Sequence, residues 1–160
     1  MSNIFKTAEI VDIGIEKEIK RRDFYALAAE SFKENNELKK LFEQLRDWEV
    51  THIEKFTQIR NSVQDYETAE SFPGELKEYI YSLVNNSLYS QITPELFPKL
   101  VKTPLDAVHY GIEFEKDAIL FFSELLPHMQ KSYSNSVIQL IQEEKQHILY
   151  LTQLKTKLTK

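Results

Sequence analysis

The sequence contains no cysteine and little glycine or proline, and these shortages limit both its fold and its chemistry. With no cysteine among 160 residues, the chain itself cannot form disulfides, thiolate metal sites, iron–sulfur clusters or a catalytic thiol. Three glycines and five prolines leave little material for the turns of a many-stranded sheet, whereas 42% apolar and 28% charged residues suit long helices. We therefore expect a single all-α domain over residues 1–160 with one sizeable core.

The sequence also lacks long apolar segments and a basic stripe, which bears on where the protein is located and what it binds. No segment approaches the ~20 consecutive apolar residues of a membrane span, and the N-terminal region has no apolar run typical of a signal peptide. The formal net charge is −5, and lysines alternate with acidic residues instead of forming a basic stripe. These features favour a cytoplasmic protein with neither a membrane nor a nucleic acid as its partner.

Apolar residues recur with a 3.6-residue period in four long segments, which predict helices at about 4–33, 36–63, 103–126 and 132–158. Thr103 is the predicted N-cap of the third helix, and Pro104 occupies its first helical position. In the connection at 64–102, the segments ELKEYIYSLV and PELFPKL predict short helices between turns. Two short loops and one long crossover are typical of a four-helix bundle made of two helical hairpins.

The two predicted hairpins are similar in sequence. GIEKEIKRRDFYALAAE from Gly14 aligns with GIEFEKDAILFFSELLP from Gly111 at an offset of 97 residues, which pairs Glu18 with Glu115. EVTH at 49–52 is repeated as EKQH at 144–147, an offset of 95 residues. Two copies of one unit are expected to pack with approximate twofold symmetry, which brings equivalent side chains close to a shared axis.

Polar residues interrupt the apolar rows at matching positions of the two hairpins. In each Glu-x-x-His motif the glutamate and the histidine lie on one helix face, where a core-facing helix normally carries apolar residues. Buried carboxylates without partners cost several kcal/mol each and repel one another, so we expect two cations among them. The predicted metal ligands are Glu18, Glu49, His52, Glu115, Glu144 and His147.

Carboxylate and imidazole ligands suit iron, manganese or cobalt. In the expected arrangement, Glu49 and Glu144 bridge two ions, and the other four ligands bind one ion each. A single Glu-x-x-His pair is also common on solvated helix faces, but its repetition together with two matched glutamates favours a metal site. The remaining polar candidates, Glu113 and the pair Asp106 and His109, are expected to be exposed.

The segments EKEIKRRDFYALAAE, EVTH, GIEFEKDAILFF and EEKQH, in this order and spacing, resemble the rubrerythrin branch of the ferritin-like superfamily. The resemblance implies a non-haem di-iron four-helix bundle, often a homodimer, that is associated with peroxide or O2 reduction. It implies the same six metal ligands and a position near the metals for Tyr25. Tyr25 follows Glu18 by two turns on the same face, where it would hydrogen-bond near the metals, serve as a redox-active phenol, or pack as an ordinary core tyrosine.

The sequence departs from this family in two respects. Rubrerythrins carry an additional rubredoxin domain with a four-cysteine iron centre, so this chain is expected to use an external reductant such as a rubredoxin-type electron carrier. Ala118 stands where the family has a second glutamate that serves during peroxide turnover. We expect a peroxide-reducing di-iron oxidoreductase, with manganese as an alternative metal. A ferroxidase or iron-binding protein without regular turnover, and a metal-free structural bundle, are the alternative functions.

Overall fold

The computed structural model describes residues 7–62, 78–79, 82–83, 92–129 and 131–160. Its longer elements are α1 (Thr7–Ser31), α2 (Asn36–Ser62), α3 (Phe97–Leu100), α4 (Pro104–Leu125) and α5 (Lys131–Leu158), with a 3-10 turn at Leu126–His128. This confirms the predicted all-α fold and its four long helices. The short helix predicted in PELFPKL corresponds to α3, whereas the one predicted in ELKEYIYSLV lies mostly outside the described residues.

Local hydrogen bonds explain where two of the long helices begin. The Thr103 hydroxyl accepts a hydrogen bond from the Asp106 backbone N–H at 3.1 Å, and the Asp106 carboxylate accepts one from the Thr103 N–H at 2.9 Å. This capping box, with Pro104 in the first turn, fixes the start of α4. Asn35 caps α2 in a similar way, because its side-chain oxygen accepts from the Leu38 N–H at 3.2 Å.

The buried apolar side chains form two clusters at opposite ends of the bundle. Cluster A comprises Phe24, Tyr25, Ala28, Ala29, Leu38, Phe42, Leu45, Phe97, Val101, Ala107, Val108, Phe114, Leu151 and Leu154. Cluster B comprises Val11, Phe56, Ile59, Ala118, Phe121, Phe122, Leu125, Val137, Leu140 and Ile141. Each long helix contributes to both clusters, so a layer of other residues separates A from B in the middle of every helix.

The order in which the helices pass these clusters defines the topology. Helices α1 and α5 run from cluster B to cluster A, whereas α2 and α4 run from A to B. Helix α1 packs mainly on α2, and α4 on α5. Helix α2 ends at cluster B and α4 begins at cluster A, and α3, which precedes α4, places Phe97 in cluster A. This is the arrangement of two hairpins joined by one long crossover.

Gly14 and Gly111 occupy equivalent positions of the two hairpins but have different surroundings. A Cβ atom at Gly14 would lie 3.4 Å from a ring carbon of Phe122, which is an ordinary van der Waals contact. A Cβ atom at Gly111 would lie 3.2 Å from both the Tyr25 hydroxyl oxygen and Leu151 Cδ1. The second position is therefore too tight for an added methyl group unless a neighbour moves.

We predict opposite effects of alanine at these two glycines. Gly14→Ala should stabilise the protein by up to about 1 kcal/mol, because alanine is favoured over glycine in a helix interior. Gly111→Ala has the same advantage but must displace Tyr25 or Leu151, and overpacking of this kind costs ~1–3 kcal/mol, so a net destabilisation is expected. Urea unfolding of the metal-free protein measures both free energies. Equal shifts in the two variants would contradict the difference in packing.

Candidate metal centre

The layer between clusters A and B contains all six residues that the sequence predicts as metal ligands. Helix α1 supplies Glu18, α2 supplies Glu49 and His52, α4 supplies Glu115, and α5 supplies Glu144 and His147. Their exposed fractions lie between 0% and 4%. The four helices thus place four carboxylates and two imidazoles in the interior, at the level where the apolar rows are interrupted.

One half of this layer is organised around His52 and is called the Glu18 half. The Nδ1 atom of His52 lies 3.2 Å from Glu144 Oε1, 3.5 Å from Glu18 Oε2 and 3.6 Å from Glu49 Oε2. Three carboxylates from three helices therefore converge on the same ring nitrogen. A metal ion bound in this half would have Glu18 and His52 as ligands of its own.

The other half is organised around His147 and is called the Glu115 half. The Nδ1 atom of His147 lies 2.9 Å from Glu144 Oε2, 3.2 Å from Glu49 Oε1 and 3.6 Å from Glu115 Oε1. Glu49 and Glu144 thus each turn one oxygen toward this half and the other toward the Glu18 half. The two histidine rings are stacked, with centroids 5.1 Å apart and an interplanar angle of 11°. Glu49 and Glu144 can therefore each offer one oxygen to either half.

The donor atoms fit bound metal. Both Nδ1 atoms and both carboxylate oxygens of Glu49 are buried without a hydrogen-bond partner, which is rare for buried polar atoms. Metal–ligand bonds of about 2.1 Å place neighbouring ligand atoms of one coordination sphere about 3.0–3.4 Å apart. The Nδ1–oxygen distances of 2.9–3.6 Å match this spacing. Ligand atoms of Glu49, His52, Glu144 and His147 lie within 4.8 Å of one another, so these four residues can hold a metal ion.

Each histidine has a different neighbour beyond the layer. The Nε2 atom of His52 lies 2.8 Å from the Glu143 carboxylate, which also accepts a hydrogen bond from Lys55 at 2.7 Å. An acidic partner on the far ring nitrogen fixes the orientation of the imidazole and leaves Nδ1 for a metal. The ring of His147 is instead stacked on Trp48, with centroids 5.0 Å apart. Sequence reasoning missed Glu143, because its contact crosses from α5 to α2 and leaves no periodic signal.

Tyr25 lies at the edge of the layer and is fully buried. Its hydroxyl donates a hydrogen bond of 2.6 Å to Glu115 Oε1, in agreement with the hydrogen-bonding role considered for it. Burial, together with the negative charges of Glu115 and Glu49, raises the pKa of the Tyr25 phenol well above its ordinary value. The phenol therefore stays protonated near neutral pH and acts as a donor to Glu115.

The metal-free layer holds protons on several of these groups. Burial alone lowers the pKa of both histidines, but the nearby carboxylates of Glu115, Glu144 and Glu49 outweigh it and raise the pKa of His147 to about 12. The carboxylates of Glu144, Glu18 and Glu49 likewise raise the pKa of His52 well above its ordinary value. Burial, then the charges of Glu144 and Glu49, raise the pKa of the Glu115 carboxyl to about 8. A metal ion entering the layer must therefore displace protons from its ligands.

Arg21 lies inside the layer, although the sequence does not predict it as part of the site. Its side chain is fully buried, and Nη2 donates to Glu144 Oε1 at 3.0 Å while also contacting Glu18 Oε1. Its Nε atom lies 3.5 Å from Glu49 Oε2 and 3.9 Å from Glu115 Oε2. One guanidinium thus contacts all four carboxylates and partly offsets their charge.

Arg22, the next residue of α1, lies outside the layer. The Arg22 side chain is 37% exposed and pairs with Asp23 at 2.8 Å. The buried row of α1 instead runs through Gly14, Glu18, Arg21 and Tyr25, with spacings of four, three and four residues. This spacing is a sequence signal for Arg21, but an arginine is normally assigned to the solvent face of a helix.

The comparisons with known proteins agree with this geometry. The Rubrerythrin family model matches residues 9–155, a range that includes the four long helices almost completely and all six residues named above. No curated protein and no solved structure matches the chain significantly. The match covers well over half of the chain, and the buried Glu-x-x-His motifs lie within it. The chain therefore belongs to the rubrerythrin family.

Proposed function

We propose that the chain is a non-haem di-iron oxidoreductase that reduces peroxide, or reacts with O2, with electrons from an external donor. The observation that carries this proposal is the sharing of Glu49 and Glu144 between two histidine-centred halves. The two bridging glutamates would contact both ions. Glu18 and His52 would complete one coordination sphere, and Glu115 and His147 the other. Manganese is the alternative metal, because it accepts the same ligands.

In this proposal the metal ions supply the electrons, and the residues of the chain compensate charge, exclude water and orient the ligands. When bound, two Fe(II) ions supply one electron each, so that hydrogen peroxide and two protons give two waters, and the external donor returns both electrons. The four carboxylates offset the positive charge of the centre, and clusters A and B exclude water from its two sides. The Tyr25 hydroxyl donates its proton to a hydrogen bond with Glu115 Oε1, with 2.6 Å between the two oxygens, and keeps that carboxylate oriented.

A second candidate function is iron oxidation or iron binding without regular turnover. Ala118 favours it, since this buried methyl group stands where the resemblance to rubrerythrins places a second glutamate that serves during peroxide turnover. No carboxylate can reach the centre from this position. A metal-free structural role is less well supported, because several polar atoms of the layer, among them both carboxylate oxygens of Glu49, would remain buried without a hydrogen-bond partner.

Location and partners are further parts of the proposal. No helix in the described part of the chain is both long and apolar enough to cross a membrane. We propose a cytoplasmic homodimer that receives electrons from a rubredoxin-type carrier, on the basis of the sequence composition and the resemblance to rubrerythrins. Analytical ultracentrifugation of the full chain distinguishes a dimer from a monomer.

The choice between oxidants and functions is tested by stopped-flow absorbance. Anaerobic Fe(II)-loaded protein is mixed with hydrogen peroxide in one experiment and with O2 in another. We expect rapid oxidation by peroxide and repeated turnover when a reductant is added. A single oxidation without turnover would indicate the iron-handling alternative. An unchanged spectrum with both oxidants would exclude both redox functions.

Substitution of a bridging glutamate should remove metal. Glu144→Ala is expected to weaken metal binding by more than about tenfold. Loss of a residue that only supports a ligand already lowers metal affinity by about tenfold or more, and loss of a ligand should cost more. Glu113→Ala is the matched control on the exposed face of α4, where Glu113 pairs with Lys116 at 2.9 Å. Metal content after purification and dialysis measures both effects. Equal metal loss in the two variants would show that the metal lies elsewhere.

Tyr25 should affect the centre through its hydroxyl group alone. Tyr25→Phe keeps the buried ring but removes the hydrogen bond to Glu115, so we expect Fe(II) affinity or the oxidation rate to fall about tenfold. Tyr110→Phe is the control, because the Tyr110 ring packs near Phe24 and Phe114 at the edge of cluster A. If Tyr25→Phe changes neither quantity, Tyr25 is only a packing residue.

A further inference from the structure

Arg21 makes the two halves of the centre unequal. Its guanidinium approaches Glu144 through Oε1, at 3.0 Å, and Glu49 through Oε2, at 3.5 Å. These are the two oxygens that face His52. The opposite oxygens, Glu144 Oε2 and Glu49 Oε1, face His147 instead. The guanidinium therefore binds the bridging carboxylates on the side of the Glu18 half.

The two terminal glutamates differ in their distance from Arg21, although in each of them the oxygen that faces the histidine is not the one that Arg21 approaches. Arg21 contacts Glu18 Oε1 directly, whereas its Nε atom lies 3.9 Å from Glu115 Oε2. The other oxygen of Glu115 faces His147 at 3.6 Å. Arg21 thus engages the carboxylates that a metal in the Glu18 half requires. The carboxylate oxygens that face His147 have no ion pair with Arg21 and remain available to a metal ion.

The net charge of the layer depends on how many cations it holds. Four carboxylates balance two divalent cations, but the guanidinium of Arg21 is positively charged at any physiological pH. With Arg21 and one divalent ion present, the four carboxylates leave the layer with one net negative charge. A second divalent ion would change this to one net positive charge, and only displacement of the guanidinium would make the buried layer with two ions neutral.

The internal repeat shows that this cation belongs to one hairpin only. The offset of 97 residues that pairs Glu18 with Glu115 also pairs Arg21 with Ala118. Ala118 is fully buried and ends in a methyl group. The second hairpin therefore has no counterpart of the guanidinium at this position. The sequence therefore already contains this asymmetry. The six proposed metal ligands are matched between the two hairpins, whereas Arg21 is not.

We propose that Arg21 serves as a built-in cation of the Glu18 half. The chain then binds one divalent metal ion tightly in the Glu115 half, and it admits a second ion only when the guanidinium is displaced. This inference rests on the proposed function, since it requires the layer to be a metal centre. It adds an order of loading in which the position near His147 fills first and the position near His52 fills second.

The order of loading is tested with Mn(II) as the probe, in titrations of the full chain followed by electron paramagnetic resonance. Wild-type protein should bind one ion at least tenfold more tightly than a second. His52→Ala should keep this first ion, and His147→Ala should lose it. If the two variants weaken the first ion equally, or if wild type binds two ions with equal affinity, the inference is wrong and the metal centre stands. If wild type binds no Mn(II) or Fe(II), the inference and the proposed function both fail.

A variant of Arg21 provides the second test. Arg21→Gln should raise the affinity of the second Mn(II) ion about tenfold and replace the signal of an isolated ion by that of an exchange-coupled pair. Arg22→Gln is the matched control, because Arg22 lies next to Arg21 but pairs with Asp23 outside the layer, and it should behave like wild type. An Arg21→Gln protein that folds but binds the second ion no better would overturn the inference. If Arg21→Gln does not fold, the two histidine variants decide.

Discussion

The structure depends on the burial of four carboxylates in one layer of the bundle. Each ionised carboxylate loses hydration worth several kcal/mol when it leaves water, and carboxylates close together also repel one another. The chain supplies part of the compensation through Arg21 and the two histidines. Metal supplies the remainder when it is bound. Clusters A and B lie on either side of the layer and keep water away, which strengthens every electrostatic contact inside it.

The fold and the six buried polar residues of the layer could be predicted because both leave periodic signals in the sequence. Buried residues of a long helix recur every 3.6 residues, and the four long helices were located in this way. The cap at Thr103 and Pro104 adds a local signal that does not depend on packing. The polar layer was recognisable because the interruptions recur at matched places in the two hairpins. Residues 64–102 have no comparable pattern, and the sequence indicates little about how they run.

Residues that act on the ligands from neighbouring helices could not be predicted in the same way. Both Arg21 and Arg22 are compatible with a core-facing row through Glu18 and Tyr25, since each leaves spacings of three and four residues. The choice between them is made by carboxylates on the other three helices, which attract one guanidinium into the layer. Glu143 likewise depends on the distance between α5 and α2. Contacts of this kind become visible only in three dimensions.

The two halves of the centre differ because the two copies of the repeat carry different side chains next to their matched glutamates and histidines. Glu143 and Trp48 are equivalent at the offset of 95 residues, yet one places a carboxylate on His52 and the other stacks an indole on His147. Tyr25 donates to Glu115, but its counterpart Phe122 has no hydroxyl, and Arg21 contacts the equivalent Glu18 instead. The six glutamates and histidines of the layer therefore follow the approximate twofold symmetry, while the side chains around them break it. Two ions held by matched ligands would meet different charges, and the inequality arises from residues within seven positions of a ligand on the same helix.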